Sequence, residues 1–185
     1  CFLALIVLIQ FNVLTIVLGM ASMVFAFTYP FMKRLTYWPQ LFLGFTFNWG
    51  IIMAWSAIHS DLSITPFVLY VAAIFWTLGY DTIYGLQDLK DDEIIGLKST
   101  SIKFQNNVKN FVTICYLLTI IFLIILTFFI DTNFFYFLTL MLIAYQFYLQ
   151  IKNFNKNRPE TCLKAFKSNN YIGILVFISL LTNYI

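Results

Sequence analysis

The chain has 185 residues, of which 61% are hydrophobic, 20% aromatic and only 10% charged, and its mean hydropathy is +0.85. Soluble domains carry roughly a quarter of their residues as charge, so this composition excludes an ordinary soluble protein and places the chain in a lipid bilayer. A net charge of +3 is too small to make nucleic acid an expected partner, and Cys1, Cys115 and Cys162 lack the number and spacing of a disulfide framework or a zinc site.

Apolar runs of about 20 residues match a hydrocarbon core about 30 Å thick. The fold class expected is therefore all-α, a polytopic transmembrane helix bundle forming one membrane domain over residues 1–185. Six spans are predicted, at about 2–27, 38–58, 66–87, 108–130, 134–151 and 171–185. The first is expected to stop at Tyr29-Pro30, because proline removes a backbone donor. Pro66 suits the first turn of the third. Cys1 opens directly in an apolar run without a basic leader, so the chain is expected to continue a longer protein.

Positive charge alternates with these spans. Lys33 and Arg34 follow the first, Lys90, Lys98, Lys103 and Lys109 follow the third, and Lys152, Lys156, Arg158, Lys164 and Lys167 follow the fifth, while the intervening breaks hold none. Lys and Arg accumulate in cytoplasmic loops. The alternation therefore supports six spans and puts all these loops on the cytoplasmic side. His59 falls on the other side, remote from the acids, and is expected to be a simple loop residue. Asn12 and Asn48 lie within spans, where interhelical hydrogen bonds are the usual role.

Five of the eight acidic residues fall between Asp81 and Glu93. If the third span stays helical through Asp92, then Asp81, Tyr84, Asp88 and Asp92 share one face. Asp88 and Asp92, at i and i+4, are spaced to share a hard cation. Magnesium is commonly held by one or two carboxylates together with substrate phosphates, so the pair is half of a diphosphate site. The competing reading is a solvated helix end. Lys33 and Arg34 on the same side offer the cationic donors a diphosphate needs, against the plain role of positive-inside anchors, and Lys98 is a weaker case of the same kind. Tyr29, Tyr37, Trp38 and Tyr184 suit the interfacial aromatic belt.

The motif Tyr29-Pro-Phe-Met-Lys33-Arg34 with Pro39-Gln40, then Tyr80-Asp81-Thr82-x-Tyr84-x-x-x-Asp88-x-x-Asp91-Asp92 with Gly96-x-Lys98-Ser99-Thr100, closely resembles the UbiA superfamily of membrane prenyltransferases. Within it, Cys162-Leu163-Lys164-Ala165-Phe166 and Asn169-Asn170-Tyr171-Ile172-Gly173 look like the tail of the branch that prenylates 4-hydroxybenzoate for ubiquinone synthesis. The resemblance implies a nine-helix fold of which this chain holds six spans. It also implies a central cavity and two aspartate-rich motifs that bind polyprenyl diphosphate through Mg²⁺. By that resemblance Asp88 and Asp92 are metal ligands, Lys33, Arg34 and Tyr29 contact the donor, and Tyr84 and Lys98 join the substrate site. Asp81 or Asp91 is expected to tune the site or help remove the ring proton. The family's first motif, of the Asn-Asp-x-x-Asp type, has no counterpart here and is expected before Cys1, with three further helices.

The activity implied is transfer of the prenyl group to the ring carbon ortho to the hydroxyl of 4-hydroxybenzoate, in a bacterial or mitochondrial inner membrane. A sister enzyme using a naphthoate, homogentisate or haem acceptor is the alternative. A transporter is a further one, but its ionisable groups should line a path through the bilayer, whereas here the acids gather at one surface.

Overall fold

The structure is a computed structural model and describes residues 2–182. Its eleven helices, among the described residues, are α1 (Phe2–Leu8), α2 (Val13–Leu35), α3 (Pro39–Asn48), α4 (Gly50–His59), α5 (Ile64–Tyr84), α6 (Leu89–Ile95), α7 (Thr100–Lys103), α8 (Val108–Leu126), α9 (Phe134–Asn153), α10 (Pro159–Lys167) and α11 (Asn169–Leu181). Five stretches are long and apolar enough to cross a membrane: α2, α3 with α4, α5, α8 and α9. The sixth expected span corresponds to α11, which has 13 residues, and its final positions 183–185 lie outside the described residues.

The first span differs from expectation at both ends. It is not continuous from residue 2 to 27, because the chain breaks between Leu8 and Val13 and Asn12 caps a new helix, its side chain accepting from Thr15 N–H. Asn12 Nδ2 also donates to the Ser56 carbonyl at 2.6 Å, and Thr15 Oγ1 lies 2.8 Å from Ser56 Oγ. Buried polar groups in an apolar setting need such partners, and meeting them at α4 fixes the break. Nor does Pro30 end the helix: α2 continues to Leu35, and Thr36 N–H closes the last turn on Met32 O. A proline ring holds a φ compatible with helix and costs mainly one hydrogen bond, which membrane helices tolerate. Lys33 and Arg34 thus sit in the last turn of α2.

Helix α5 is the axis of the bundle, packing on α8, α3 and α10. More than half of its most apolar window is buried, 56%, against 11% for α2, which packs only one face on α3 and α4. Close approach is made possible by glycine. A Cβ at Gly79 would lie 2.5 Å from a ring carbon of Tyr116, so α8 could not approach α5 this closely without shifting that ring. Tyr116 is itself tied by its hydroxyl to Gln150 Oε1 at 2.6 Å, and Gln150 Nε2 donates to Ser168 Oγ, joining α8, α9 and the α10–α11 junction. Asn48 plays the interhelical role expected of it, donating to Thr77 Oγ1 on α5 at 2.8 Å. His59 ends α4 and stacks on Trp55 with ring centroids 4.2 Å apart.

Candidate active site

The acidic stretch is a helix–turn–helix and not a single helix. α5 ends at Tyr84, Gly85 N–H closes on Asp81 O at 2.9 Å, and α6 begins at Leu89 with Asp88 as its N-cap residue. The expected common face of Asp81, Tyr84, Asp88 and Asp92 therefore does not form. The reason lies in residues 85–87: Gly85 pays the largest backbone entropy in a helix, and Leu86 turns inward to full burial beneath the turn. The Asp88–Asp92 spacing survives because Asp88 is the N-cap residue of the helix that carries Asp92. Asp92 N–H bonds Asp88 O at 2.9 Å, so the two remain one helical turn apart.

The remaining acids divide by environment. Asp88 and Asp91 are exposed, Asp92 is half-buried, and Asp88 forms no side-chain cap to its helix. Asp81, half-buried in the last turn of α5, lies within electrostatic reach of Lys33, and Tyr29 within reach of Asp81. Lys33 and Arg34 are both exposed. Tyr84 is exposed and its ring lies 4.6 Å from that of Phe166 on α10, which also contacts Tyr80 at 5.7 Å. The structure thus gathers Tyr29, Lys33 and Asp81 electrostatically, and Tyr80 and Tyr84 through Phe166.

Lys98 is placed differently from a free phosphate contact. Its backbone N–H donates to Lys33 O at 2.8 Å, its Nζ to Leu35 O at 3.3 Å, and the ammonium lies 5.7 Å from the centre of the Tyr37 ring. A cation on the last carbonyls of a helix is favoured by the helix dipole, so Lys98 straps the acidic segment to the end of α2. Gly96, at φ 77, reverses the chain into that strap.

A set of side chains beneath the turn, three of them within the quoted motifs, forms a buried polar network. Gln40 Oε1 accepts from Thr100 N–H at 3.0 Å, Thr82 Oγ1 lies 2.6 Å from Thr100 Oγ1, and Ser101 Oγ donates to Thr82 O at 2.8 Å. Thr82, Thr100 and Ser101 are each 0% exposed. This clasp joins the start of α3, the end of α5 and α7. A Cβ on Gly85 would come within 2.5 Å of Ser101 Oγ. The available signal was a run of small hydroxyl residues between apolar spans.

Deeper among the helices is an apolar cavity of about 260 Å³, with Asn48, Ala72, Ala73, Trp76, Phe147 and Gly173 in its wall. Trp76 Nε1 donates to Asn169 Oδ1 at 2.8 Å and its ring meets Tyr80 edge-on at 5.9 Å. A line of aromatic rings therefore leads from the cavity to Phe166 and Tyr84 beside the acidic turn. No cluster of three or more His, Cys, Asp or Glu suited to a metal occurs among the described residues. Two carboxylates one turn apart could hold a hard divalent cation that takes its other ligands from water and phosphate.

Membrane-length helices, an apolar cavity inside them, and acids and bases gathered at one end of the bundle define a polytopic α-helical membrane protein with a polar site at its surface. Residues 1–181 match the UbiA prenyltransferase family, and the chain belongs to that family. It is 42% identical over 181 residues to a mitochondrial 4-hydroxybenzoate polyprenyltransferase of Bos taurus, covering 96% of this chain and 48% of that protein. It is likewise 42% identical over 177 residues to a 4-hydroxybenzoate octaprenyltransferase of Psychromonas ingrahamii, covering 94% of this chain and 61% of that one. The chain spans about half the length of the curated relatives it matches. A solved apo structure of a UbiA homolog from Aeropyrum pernix K1 superposes with a TM-score of 0.80 at 19% identity, over 98% of this chain and 68% of that one, which shows the shared fold.

Proposed function

We propose that the protein transfers a polyprenyl group from polyprenyl diphosphate to the ring carbon ortho to the hydroxyl of 4-hydroxybenzoate, in ubiquinone biosynthesis, at a bacterial or mitochondrial inner membrane with the acidic turn facing the cytoplasm or matrix. The names of the 4-hydroxybenzoate polyprenyltransferase and octaprenyltransferase relatives support the acceptor and donor. The observation that carries the reading is the Asp88–Asp92 pair, one turn apart with Asp88 uncapped by its own side chain, at the end of the bundle where Lys33 approaches Asp81.

Asp88 and Asp92 are the residues that would hold a divalent cation, Mg²⁺ in this reading. When bound, such an ion supplies charge neutralisation for a departing diphosphate. The chain's own groups do the rest. Lys33 and Arg34, exposed at the end of α2, bind diphosphate oxygens, Arg34 with its planar fork and Lys33 as a point charge. Donors placed where negative charge develops stabilise a transition state more than a ground state. The 260 Å³ cavity holds apolar chain in a space lined by Trp76, Phe147 and small residues. The rings of Tyr80, Tyr84 and Phe166 flank its approach to the acids and exclude water from an allylic cation, whose charge their faces stabilise. Asp81, within electrostatic reach of Lys33, orients the Lys33 ammonium and is a half-buried carboxylate that can take the proton lost from the ring. Tyr29 supports Asp81.

The test uses the natural full-length protein in membranes, with polyprenyl diphosphate and 4-hydroxybenzoate, with and without Mg²⁺. Metal-dependent release of diphosphate together with ring-prenylated 4-hydroxybenzoate is expected. Turnover with a naphthoate, homogentisate or haem acceptor but not with 4-hydroxybenzoate would overturn the acceptor, and absence of metal-dependent diphosphate release would overturn the reaction.

A further inference from the structure

A second pocket opens where α8 begins and α9 ends, separate from the acidic turn. Its volume is about 380 Å³, and its walls come from Gln105–Asn107 with the first turn of α8, and from the loop Phe154–Asn157. The lining holds two lysines, Lys109 and Lys156, a floor of Val108 and Phe154, and otherwise only amide side chains. No carboxylate lines it. The acid nearest in the hydrogen-bond network is Glu93, which accepts from Gln105 Nε2 at 3.3 Å.

Each ammonium group has one neighbour across the pocket. Lys156 Nζ donates to Gln105 O at 3.2 Å across the pocket, joining the two loops. Lys109 Nζ lies 5.4 Å from the centre of the Phe154 ring. Other lysines near this boundary are drawn elsewhere, Lys103 over Trp38 at 4.6 Å and Lys152 over Tyr148 at 6.0 Å. Because Val108 starts one membrane-length helix and Asn153 ends another, the pocket lies at the level of lipid headgroups. Exposed Ile114 and Leu117 on α8 and Tyr145 on α9 lie roughly 9–14 Å deeper along their helices, where acyl chains run.

A phosphate ester matches this lining, because two cations with no carboxylate between them attract its negative charge and amide N–H groups satisfy its remaining oxygens. Basic pockets between membrane helices are suited to anionic headgroups, and each nearby Lys strengthens the attraction. We propose that the Lys109–Lys156 pocket binds the phosphate of an anionic phospholipid. It bridges the α7–α8 and α9–α10 loops and so fastens the ends of α8 and α9 to each other. The site is independent of the prenyl-transfer reading.

The test places the full-length protein in nanodiscs of phosphatidylcholine with increasing phosphatidylglycerol and follows lipid retention by native mass spectrometry and the melting midpoint. Phosphatidylglycerol should be retained and should raise the midpoint. Lys109→Gln with Lys156→Gln should weaken its binding roughly 30-fold. Lys103→Gln with Lys152→Gln, which removes the same charge from outside the pocket, should leave it nearly intact. Equal loss in both double variants, full retention in the first, or the same midpoint shift from inorganic phosphate in pure phosphatidylcholine would each overturn the proposal. Both pocket lysines are exposed, so the substitutions spare the core, and lipid retention is read on protein that has kept its midpoint in phosphatidylcholine alone.

Discussion

The clasp of Gln40, Thr82, Thr100 and Ser101 and the turn carrying Asp88 and Asp92 treat polar atoms in opposite ways. The clasp is buried, and its side chains bond one another and the backbone. The acid pair is left at the surface, with Asp88 giving up the cap its position allows. A polar group satisfied inside a protein supports the fold, whereas an uncompensated pair of like charges costs stability unless something outside the chain completes it. On this contrast the clasp serves the fold, and the turn is where the proposed function would act.

The contrast breaks most visibly at the turn. Asp88→Asn or Asp92→Asn, each nearly isosteric, should reduce metal-dependent prenyl transfer by the full-length protein roughly 100-fold or more. Unfolding free energy should move by no more than about 0.5 kcal/mol, as for surface changes generally. Near-normal turnover in both variants would remove the pair from the mechanism.

The opposite pattern is expected in the clasp. Thr82→Val strips the partner from Thr100 Oγ1 in a buried site and should cost about 1–3 kcal/mol of stability, read as a lower melting temperature in detergent. Thr82→Ser should restore most of it. A Thr82→Val protein with an unchanged melting temperature would show that the clasp does not bear on the fold.

The smallest effect concerns Cys162, which is 0% exposed on α10. Burial pushes its thiol above the ordinary value of 9.0. Only the thiolate attacks a maleimide, so labelling at pH 8 should be at least about tenfold slower in the folded protein than in the unfolded one. The sign also sets a pH dependence. The neutral thiol is favoured in the fold, so its contribution to stability is complete below the unfolded value and is lost as pH rises beyond it. Rapid labelling of the native protein at pH 8 would place α10 more loosely than its packing indicates.

Composition and patterning made much of this legible. Apolar runs separated by basic loops gave the membrane helices, since transfer of a residue into hydrocarbon depends on its own chemistry. The i, i+4 spacing of Asp88 and Asp92 was equally local and survives in α6. Other expectations depended on distant partners. Pro30 looked like a stop because its missing donor is visible in sequence, while the apolar surroundings that let α2 run on to Leu35 are not. Asn12 looked like a residue within a span, and Ser56, 44 residues away, is what makes it a cap site together with Thr15. The extension of α5 through Asp92 failed because Gly85 and the inward Leu86 end the helix where α7 packs against it.

By itself, then, the sequence determined an all-helical membrane protein, the grouping of acids in one stretch and the one-turn spacing of Asp88 and Asp92, because hydrophobicity, charge and helical spacing are properties of short stretches. Tertiary structure alone decided that Lys33 lies within electrostatic reach of Asp81, that Lys98 straps the end of α2 and that Thr82, Thr100 and Gln40 close on one another. Those relations join residues up to 63 positions apart. Which polar atoms meet across such distances is set by how helices pack, and packing is a property of the whole chain.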